Sequence, residues 1–405
     1  MTQTCRHCQT PLTQQFLDLG HAPPSNAYLS AEALNAPEVS FPLRLMVCGN
    51  CRLVQTLDFS QADDLFTHDY AYFSSTSQGW LDHAARYCAM ITARLGLGGH
   101  SHVMELASND GYLLRNFVAA GIPCLGVEPT RSTAEAARVL GIDVVQDFFG
   151  ADLARTLPAA DLIIGDNVFA HVPDINDFTR GMADALKPEG VITLEFPHLM
   201  RLVEFGQFDT VYHEHFSYLS LLAVERILAA QGLRVWDVEE LPTHGGSLRI
   251  YGCLHGAGHA EQPSVAAMRA EEGARGMDND SYYSDFQGIA DMIKNDVLRF
   301  LLDARAENKS VAAYGAAAKG NTLLNYAGVR PDLLPFVCDA APSKIGKYMP
   351  GSHIPIRAPD ALIENRPDYL FILPWNIAAE IRAQNAALIA AGTRVVTAVP
   401  RLTVT

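Results

Sequence analysis

The chain has 405 residues, 49% apolar and 19% charged, with a formal net charge of −15. That length exceeds one hydrophobic core and predicts two or three domains, and the composition excludes extended disorder. The acidic balance excludes a nucleic-acid-binding surface, which needs clustered cations, but not a small phosphorylated ligand held by a few local groups.

The first residues, Met1 to Cys5, lack the basic and apolar regions of a signal peptide. No run of about 18 apolar residues follows to span a bilayer, so no membrane partner and a cytoplasmic location are expected. Cys5-x2-Cys8 and Cys48-x2-Cys51 are two short knuckles, four of the eight cysteines. Each places two thiolates on one side of a tight turn, and two such turns complete a tetrahedral S4 shell suited to zinc. Residues 9–47 exceed the usual ribbon spacing and predict an insertion between the knuckles. Two disulfides are the alternative, disfavoured by a reducing cytoplasm. A closed S4 site leaves no open coordination position, so the zinc is expected to be structural.

Asp69 to Ser77 is rich in aromatic and hydroxyl side chains, with Tyr70, Tyr72 and Ser75 among them. In an extended segment Tyr70 and Tyr72 face the same side. A packed entry to the following helix is the competing reading.

From about residue 80 helices alternate with short apolar strands, the mark of a parallel α/β sheet. The predicted strands are 103–107, 124–127, 144–145, 161–165 and 191–197. The first turn, Ala107-Ser108-Asn109-Asp110-Gly111, lacks the G-x-G-x-x-G that brings backbone against a pyrophosphate. It is flanked instead by acids, Glu105 and Asp110. S-adenosylmethionine fits better, because it carries no phosphate and has a cationic sulfonium and amino group. Glu128, ending the second strand, can accept from ribose hydroxyls. Asp147 can read the adenine amine with Phe148 over the ring, and Asn167 and His171 follow the fourth strand.

Tyr212-His213-Glu214-His215-Phe216-Ser217-Tyr218 packs two imidazoles, a carboxylate and two phenols into seven residues. Histidine exchanges protons near neutral pH without special tuning, and phenols can donate to a developing oxyanion. A metal site is the rival, but no HExxH spacing is present.

Beyond a late strand at Gly245–Tyr251, residues 282–307 predict a long amphipathic helix with Phe286, Ile289, Ile293, Val297 and Phe300 on its buried stripe. Val311 to Asn321 then reads as strand, small-residue turn and helix start, with further strands at 335–338 and 369–373, half a Rossmann fold. Small residues, a helix N-terminus and Lys319 could hold phosphate there, with Asn321 beside them. Lys347 and His353 lie in a polar loop that could add to it.

The acidic turn, Glu128, Asp147 and Leu186-Lys187-Pro188-Glu189-Gly190 before the fifth strand together resemble the class I methyltransferases. Adding the paired cysteine knuckles, Tyr-His-Glu-His-Phe-Ser-Tyr, and Tyr314-Gly-Ala-Ala-Ala-Lys-Gly-Asn321, the chain is similar to the sugar C-methyltransferases over almost its whole length. Ala107 departs from the glycine often found in such turns. The resemblance implies an α/β enzyme with a zinc-binding domain (1–75), an S-adenosylmethionine-binding domain (76–250) and a C-terminal Rossmann-like domain (251–405) contributing to substrate binding. It implies a nucleotide-diphosphate 4-keto-6-deoxy sugar as substrate, methylated on a ring carbon, with the Asp69–Ser77 loop closing over the sugar and Tyr70, Tyr72 and Ser75 binding it. In that chemistry His215 is the expected base, with Glu214 orienting it, Tyr212 donating to the enolate oxygen, and His171 in reserve. A monomer or weak homodimer is expected. Methyl transfer to oxygen or nitrogen, or a non-catalytic scaffold that senses the cofactor, are the alternatives.

Overall fold

The computed structural model describes residues 3–57 and 73–405, so Tyr70 and Tyr72 lie outside the described residues. Three sheets organise the described residues. The first is antiparallel, in the order β1 (Gln14–Ala22), β2 (Phe41–Val47), β3 (Val54–Thr56) and β9 (Ser217–Tyr218). In β2 the alternating Leu43, Leu45 and Val47 are buried, the two-residue period of a half-covered strand. The fourth strand comes from far along the chain: Val54 pairs with Tyr218 and Gln55 with Ser217. The histidine cluster is thereby stitched into the cysteine-bearing sheet.

The central sheet has seven strands. Its parallel part is β4 (Val103–Leu106), β5 (Cys124–Val127), β6 (Asp143–Val145), β7 (Ala160–Asp166) and β8 (Leu186–Pro197). An antiparallel pair, β11 (Ser247–Leu254) and β10 (Leu233–Leu241), extends it beside β8, giving the order β10-β11-β8-β7-β4-β5-β6. Every residue of β4 is buried, as expected for a strand covered on both faces. The helix Gln78–Leu95 packs against this sheet. Ser77 caps its start by accepting from Trp80 N, and Gly96 ends it in the left-handed region.

The third sheet runs β14 (Ile356–Arg357), β13 (Val337–Cys338), β12 (Val311–Tyr314), β15 (Tyr369–Ile372), β16 (Arg394–Thr397) and β17 (Thr403–Val404). Only β17 is antiparallel, so the expected half Rossmann fold is the middle of a fuller sheet. The long helix spans Phe286–Ala306, and its buried face is Phe286, Ala290, Ile293, Val297, Leu301 and Ala304. Ile289 and Phe300 sit at the margin, because a 3.6-residue repeat drifts off the stripe that was expected. Phe286 stacks on Phe16 of β1 at 4.9 Å.

One hydrophobic core runs through all three sheets, and polar ties join the start of the helix after β12 to the other two. Asn321 donates to the Ser25 carbonyl (2.6 Å), Thr322 to that of Val211 (2.7 Å) and Tyr28 to that of Ala316 (2.5 Å). Among the described residues no helix is long and apolar enough to cross a membrane.

Candidate active site

The four knuckle cysteines converge as their spacing required. Cys5 and Cys51 sulfurs are 3.5 Å apart, those of Cys8 and Cys48 3.4 Å, and all four lie within 4.8 Å of one another. A zinc–sulfur distance of about 2.3 Å sets tetrahedral edges near 3.8 Å, so small adjustments fit the ion. Gln55 donates to Cys5 Sγ (3.2 Å) and Cys51 N–H to Cys48 Sγ (3.5 Å), bonds that steady thiolates.

At the carboxyl ends of β4, β5 and β7 lies a polar crevice. Ala107, Asn109 and Gly111 all have positive φ, and a Cβ on Gly111 would collide with Ile142, so the turn folds tightly with one obligatory glycine. Glu128 braces it, accepting from Asn109 N (2.9 Å), Thr130 N (2.9 Å) and Thr133 Oγ1 (3.0 Å). Glu105 Oε2, Ser108 Oγ, Asp110 Oδ1 and both amide atoms of Asn167 are buried without hydrogen-bond partners among the described residues. Native folds leave few such groups unmatched, so this concentration marks a site that takes a polar, cationic ligand. Burial, reinforced by the Asp166 charge, pushes the Glu105 carboxyl well above its ordinary range. Ser74 N donates to Asn109 Oδ1 (2.9 Å) and Ser75 N to Asp110 Oδ2 (3.1 Å). Ser75 therefore leans on the cofactor turn, whereas the sequence placed it with the substrate. Asp147 and Phe148 stand at the rim, Phe148 51% exposed.

The seven-residue cluster packs on the segment that follows β7, where Phe216 N donates to the Ala170 carbonyl (2.8 Å). The His215 ring is 4.0 Å from that of Tyr212 and 4.5 Å from that of His171, centroid to centroid. Its Nδ1 is 3.1 Å from the Thr210 carbonyl. A carbonyl only accepts, so the proton sits on Nδ1 and Nε2 keeps its lone pair. Burial, then the neighbouring His171, holds the imidazole well below its ordinary pKa, hence neutral. Burial likewise brings His171 to about 4. The orienting group is thus the Thr210 carbonyl, not Glu214 as the sequence suggested: Glu214 Oε1 accepts from Asn26 (3.1 Å) and its Oε2 has no partner. His213 turns away to the Phe41 carbonyl (3.3 Å).

Lys319 does not lie open on a phosphate turn. Its Nζ is buried without a hydrogen-bond partner among the described residues, 4.5 Å over the Trp375 ring. Trp375 Nε1 donates to Asp209 Oδ2 (2.8 Å), and Asp209 directly precedes the Thr210 that holds His215. Burial lowers Lys319 to about 8 against the pull of Asp209, and raises Asp209 to about 6 against that of Lys319 and Trp375. Asn321 is a domain tie with its Oδ1 unmatched. His353 is exposed and paired with Glu38 (2.8 Å), a correction to its expected substrate role, since its ring is already committed. Lys347 is half-buried in the same loop.

Sequence reasoning missed Asp209, His244 and a charged network behind them. Glu195 accepts from Arg249 (2.6 Å), His83 (2.9 Å) and Thr243 (2.8 Å); burial opposes its ionisation, yet these partners hold it at about 2. Facing it, Asp166 has both oxygens unmatched, and burial with the Glu195 charge lifts it to about 7. His83, Asp166 and Glu195 approach like metal ligands, but the Arg249 guanidinium already supplies the cation. The available signal was Thr243-His244-Gly245-Gly246. His244 has φ 53°, and a Cβ on Gly245 would strike Trp375.

Residues 5–66 match a family model described as zinc binding, 80–238 a methyltransferase domain, and 242–400 a C-methyltransferase C-terminal domain. The C-methyltransferase NovU of Streptomyces niveus is 33% identical over 400 residues, 98% of this chain and 95% of that protein. Among solved structures, an S-adenosylmethionine-dependent methyltransferase of Clostridium acetobutylicum covers 44% of this chain and 92% of its own at 12% identity and a TM-score of 0.35. One from Mesorhizobium loti covers 42% and 99% at 16% identity and a TM-score of 0.35. With three matched domains and a relative aligned nearly end to end, the chain belongs to the S-adenosylmethionine-dependent C-methyltransferases that carry an N-terminal zinc-binding domain and their own C-terminal domain.

Proposed function

We propose that the enzyme methylates the ring carbon beside the ketone, C3 in preference to C5, of a nucleotide-diphosphate 4-keto-6-deoxy sugar, in branched deoxysugar biosynthesis. The observation that carries this reading is His215: a buried, neutral imidazole whose tautomer is fixed by the Thr210 carbonyl, with Nε2 free to take a proton. A C–H next to a ketone needs such a positioned base. S-adenosylmethionine supplies an electrophilic methyl on a cationic sulfonium. Nε2 of His215 removes the carbon proton, and the charge growing on the enolate oxygen offsets the charge growing on the imidazolium. Tyr212 donates to that oxygen, and His171 holds the far face of the base.

On the cofactor side, Glu105, Ser108, Asn109 and Asp110 receive the methionine moiety at the turn Ala107 opens. Glu128 takes the ribose, Asp147 and Phe148 the adenine, and Asn167 the space between cofactor and sugar. On the sugar side stand Lys319 and Asn321, with Lys347 toward the diphosphate. The test is product analysis with a carbon-13 methyl donor and a nucleotide-linked 4-keto-6-deoxyhexose. The reading predicts a methyl signal coupled to a ring carbon bearing no other proton. A methyl shift typical of attachment to oxygen or nitrogen contradicts it.

A further inference from the structure

Lys319 and Asp209 are two buried, oppositely charged side chains within electrostatic reach of each other, and neither is spent on the other. Among the described residues Lys319 Nζ and Asp209 Oδ1 both lack a hydrogen-bond partner, although each feels the other's charge. Unmatched buried groups of this kind are costly in a native fold unless something else completes them. Their surroundings fix where that something sits. Trp375 covers Lys319 on one side and holds the other Asp209 oxygen, Oδ2. The Phe208–Thr210 turn that carries Asp209 also presents the carbonyl that orients His215. His215 and His244 both lie within reach of the Lys319 charge. The pair therefore lies beside the base, with Lys319 supplied from the C-terminal part of the chain and Asp209 from the turn that orients His215.

The chemistry of the pair selects its ligand. A donor-only cation beside an acceptor-only carboxylate asks for a group that accepts from one and donates to the other. A hydroxyl does both with a single oxygen. A ketone oxygen accepts from Lys319 but leaves Asp209 unmatched. An ammonium donates to Asp209 but is repelled by Lys319. We propose that Lys319 and Asp209 form a specificity subsite that takes the C3 hydroxyl of the substrate sugar and rejects an amino group at that position. This rests on the nucleotide-sugar reading above and deepens it, by choosing between hydroxy and amino sugars.

The test compares kcat/KM for two nucleotide-diphosphate 4-keto-6-deoxyhexoses that differ only in carrying a hydroxyl or an amino group at C3. Wild-type enzyme should prefer the hydroxy sugar by about 10-fold or more, the usual scale for a hydrogen-bonded group lost at a charged site. Lys319→Met should lose about 10- to 100-fold on the hydroxy sugar while holding or gaining on the amino sugar, so that the preference collapses or inverts. Lys319→Gln keeps a donor without the charge, so it should relax the preference with a smaller loss, and it carries the test if the Met variant does not fold. Binding of S-adenosylhomocysteine, unchanged in both variants, reports the fold. A ratio of the two sugars that stays at its wild-type value in the Lys319 variants overturns the subsite and leaves the pair holding water only. Equal use of both sugars by wild type overturns it too. If wild type binds and methylates neither sugar, the nucleotide-sugar reading falls, and the subsite with it.

Discussion

Glu128→Gln separates a cofactor contact from a structural brace, because the structure assigns this carboxylate work before any ligand arrives. One oxygen accepts from Thr130 N and Thr133 Oγ1, the other from Asn109 N. An amide that keeps its oxygen toward Thr130 and Thr133 turns its NH2 toward the Asn109 N–H, donor against donor. The loss is one bond to a charged acceptor, about 1.5–3 kcal/mol. At about 2–4 °C per kcal/mol for a unit of 150–250 residues, the ligand-free melting temperature should fall by about 3–12 °C. The ribose would lose a charged acceptor as well, so the S-adenosylhomocysteine dissociation constant measured by calorimetry should rise by about 10- to 100-fold. Nucleotide-sugar affinity should barely move. Thr133→Val is the control: it removes a hydroxyl shared between Glu128 and the Thr130 carbonyl and should lower the melting temperature with little change in cofactor affinity. If Glu128→Gln leaves both melting temperature and cofactor affinity unchanged, the assignment of Glu128 to turn and ribose is wrong.

Metal analysis should find about one zinc per chain, and because β3 pairs directly with β9 after His215, Cys48→Ser should lower both melting temperature and turnover; unchanged stability would refute the structural role. Gly245→Ala places a Cβ into Trp375 at φ 90° and should weaken sugar binding by displacing the ring over Lys319, with cofactor binding intact; equal loss of both ligands would contradict that geometry. His171 and His244 titrate near 4 when folded, below their unfolded value of about 6.5, so the unfolded chain binds more protons in between. Their share of the stability to urea should therefore be full above about pH 6.5 and shrink as pH drops toward 4; because buried Asp166 and Asp209 titrate the opposite way, it is read as the difference between wild type and His171→Gln, and a difference that does not change with pH would refute the buried-neutral assignment.

The strands at 124–127 and 161–165 were legible because buried parallel strands read as unbroken apolar runs closed by an acid. The knuckles were legible because cysteine spacing states its own geometry. The two-residue strands β13, β14 and β17 are too short to carry a period, and β9 forms only because β3 supplies its partner. In the site, Tyr212, His215 and His171 come together from nearby motifs, as chemistry-bearing residue types announce themselves. What orients His215 is a main-chain carbonyl, which no side-chain pattern encodes. Lys319 was noticed as a cation at a helix start, but its role depends on Asp209 and Trp375, which only packing of separate sheets brings beside it.

The central claim is that His215 takes a proton from carbon, and that step can be watched without methyl transfer. In deuterated water, with the 4-keto nucleotide sugar and S-adenosylhomocysteine in place of the methyl donor, wild-type enzyme should wash deuterium into the carbon beside the ketone. His215→Asn should bind both ligands yet exchange about 10²- to 10⁴-fold more slowly, the usual worth of a positioned base. Exchange at the wild-type rate in that variant would contradict the account and move the proton transfer to another residue, His171 first.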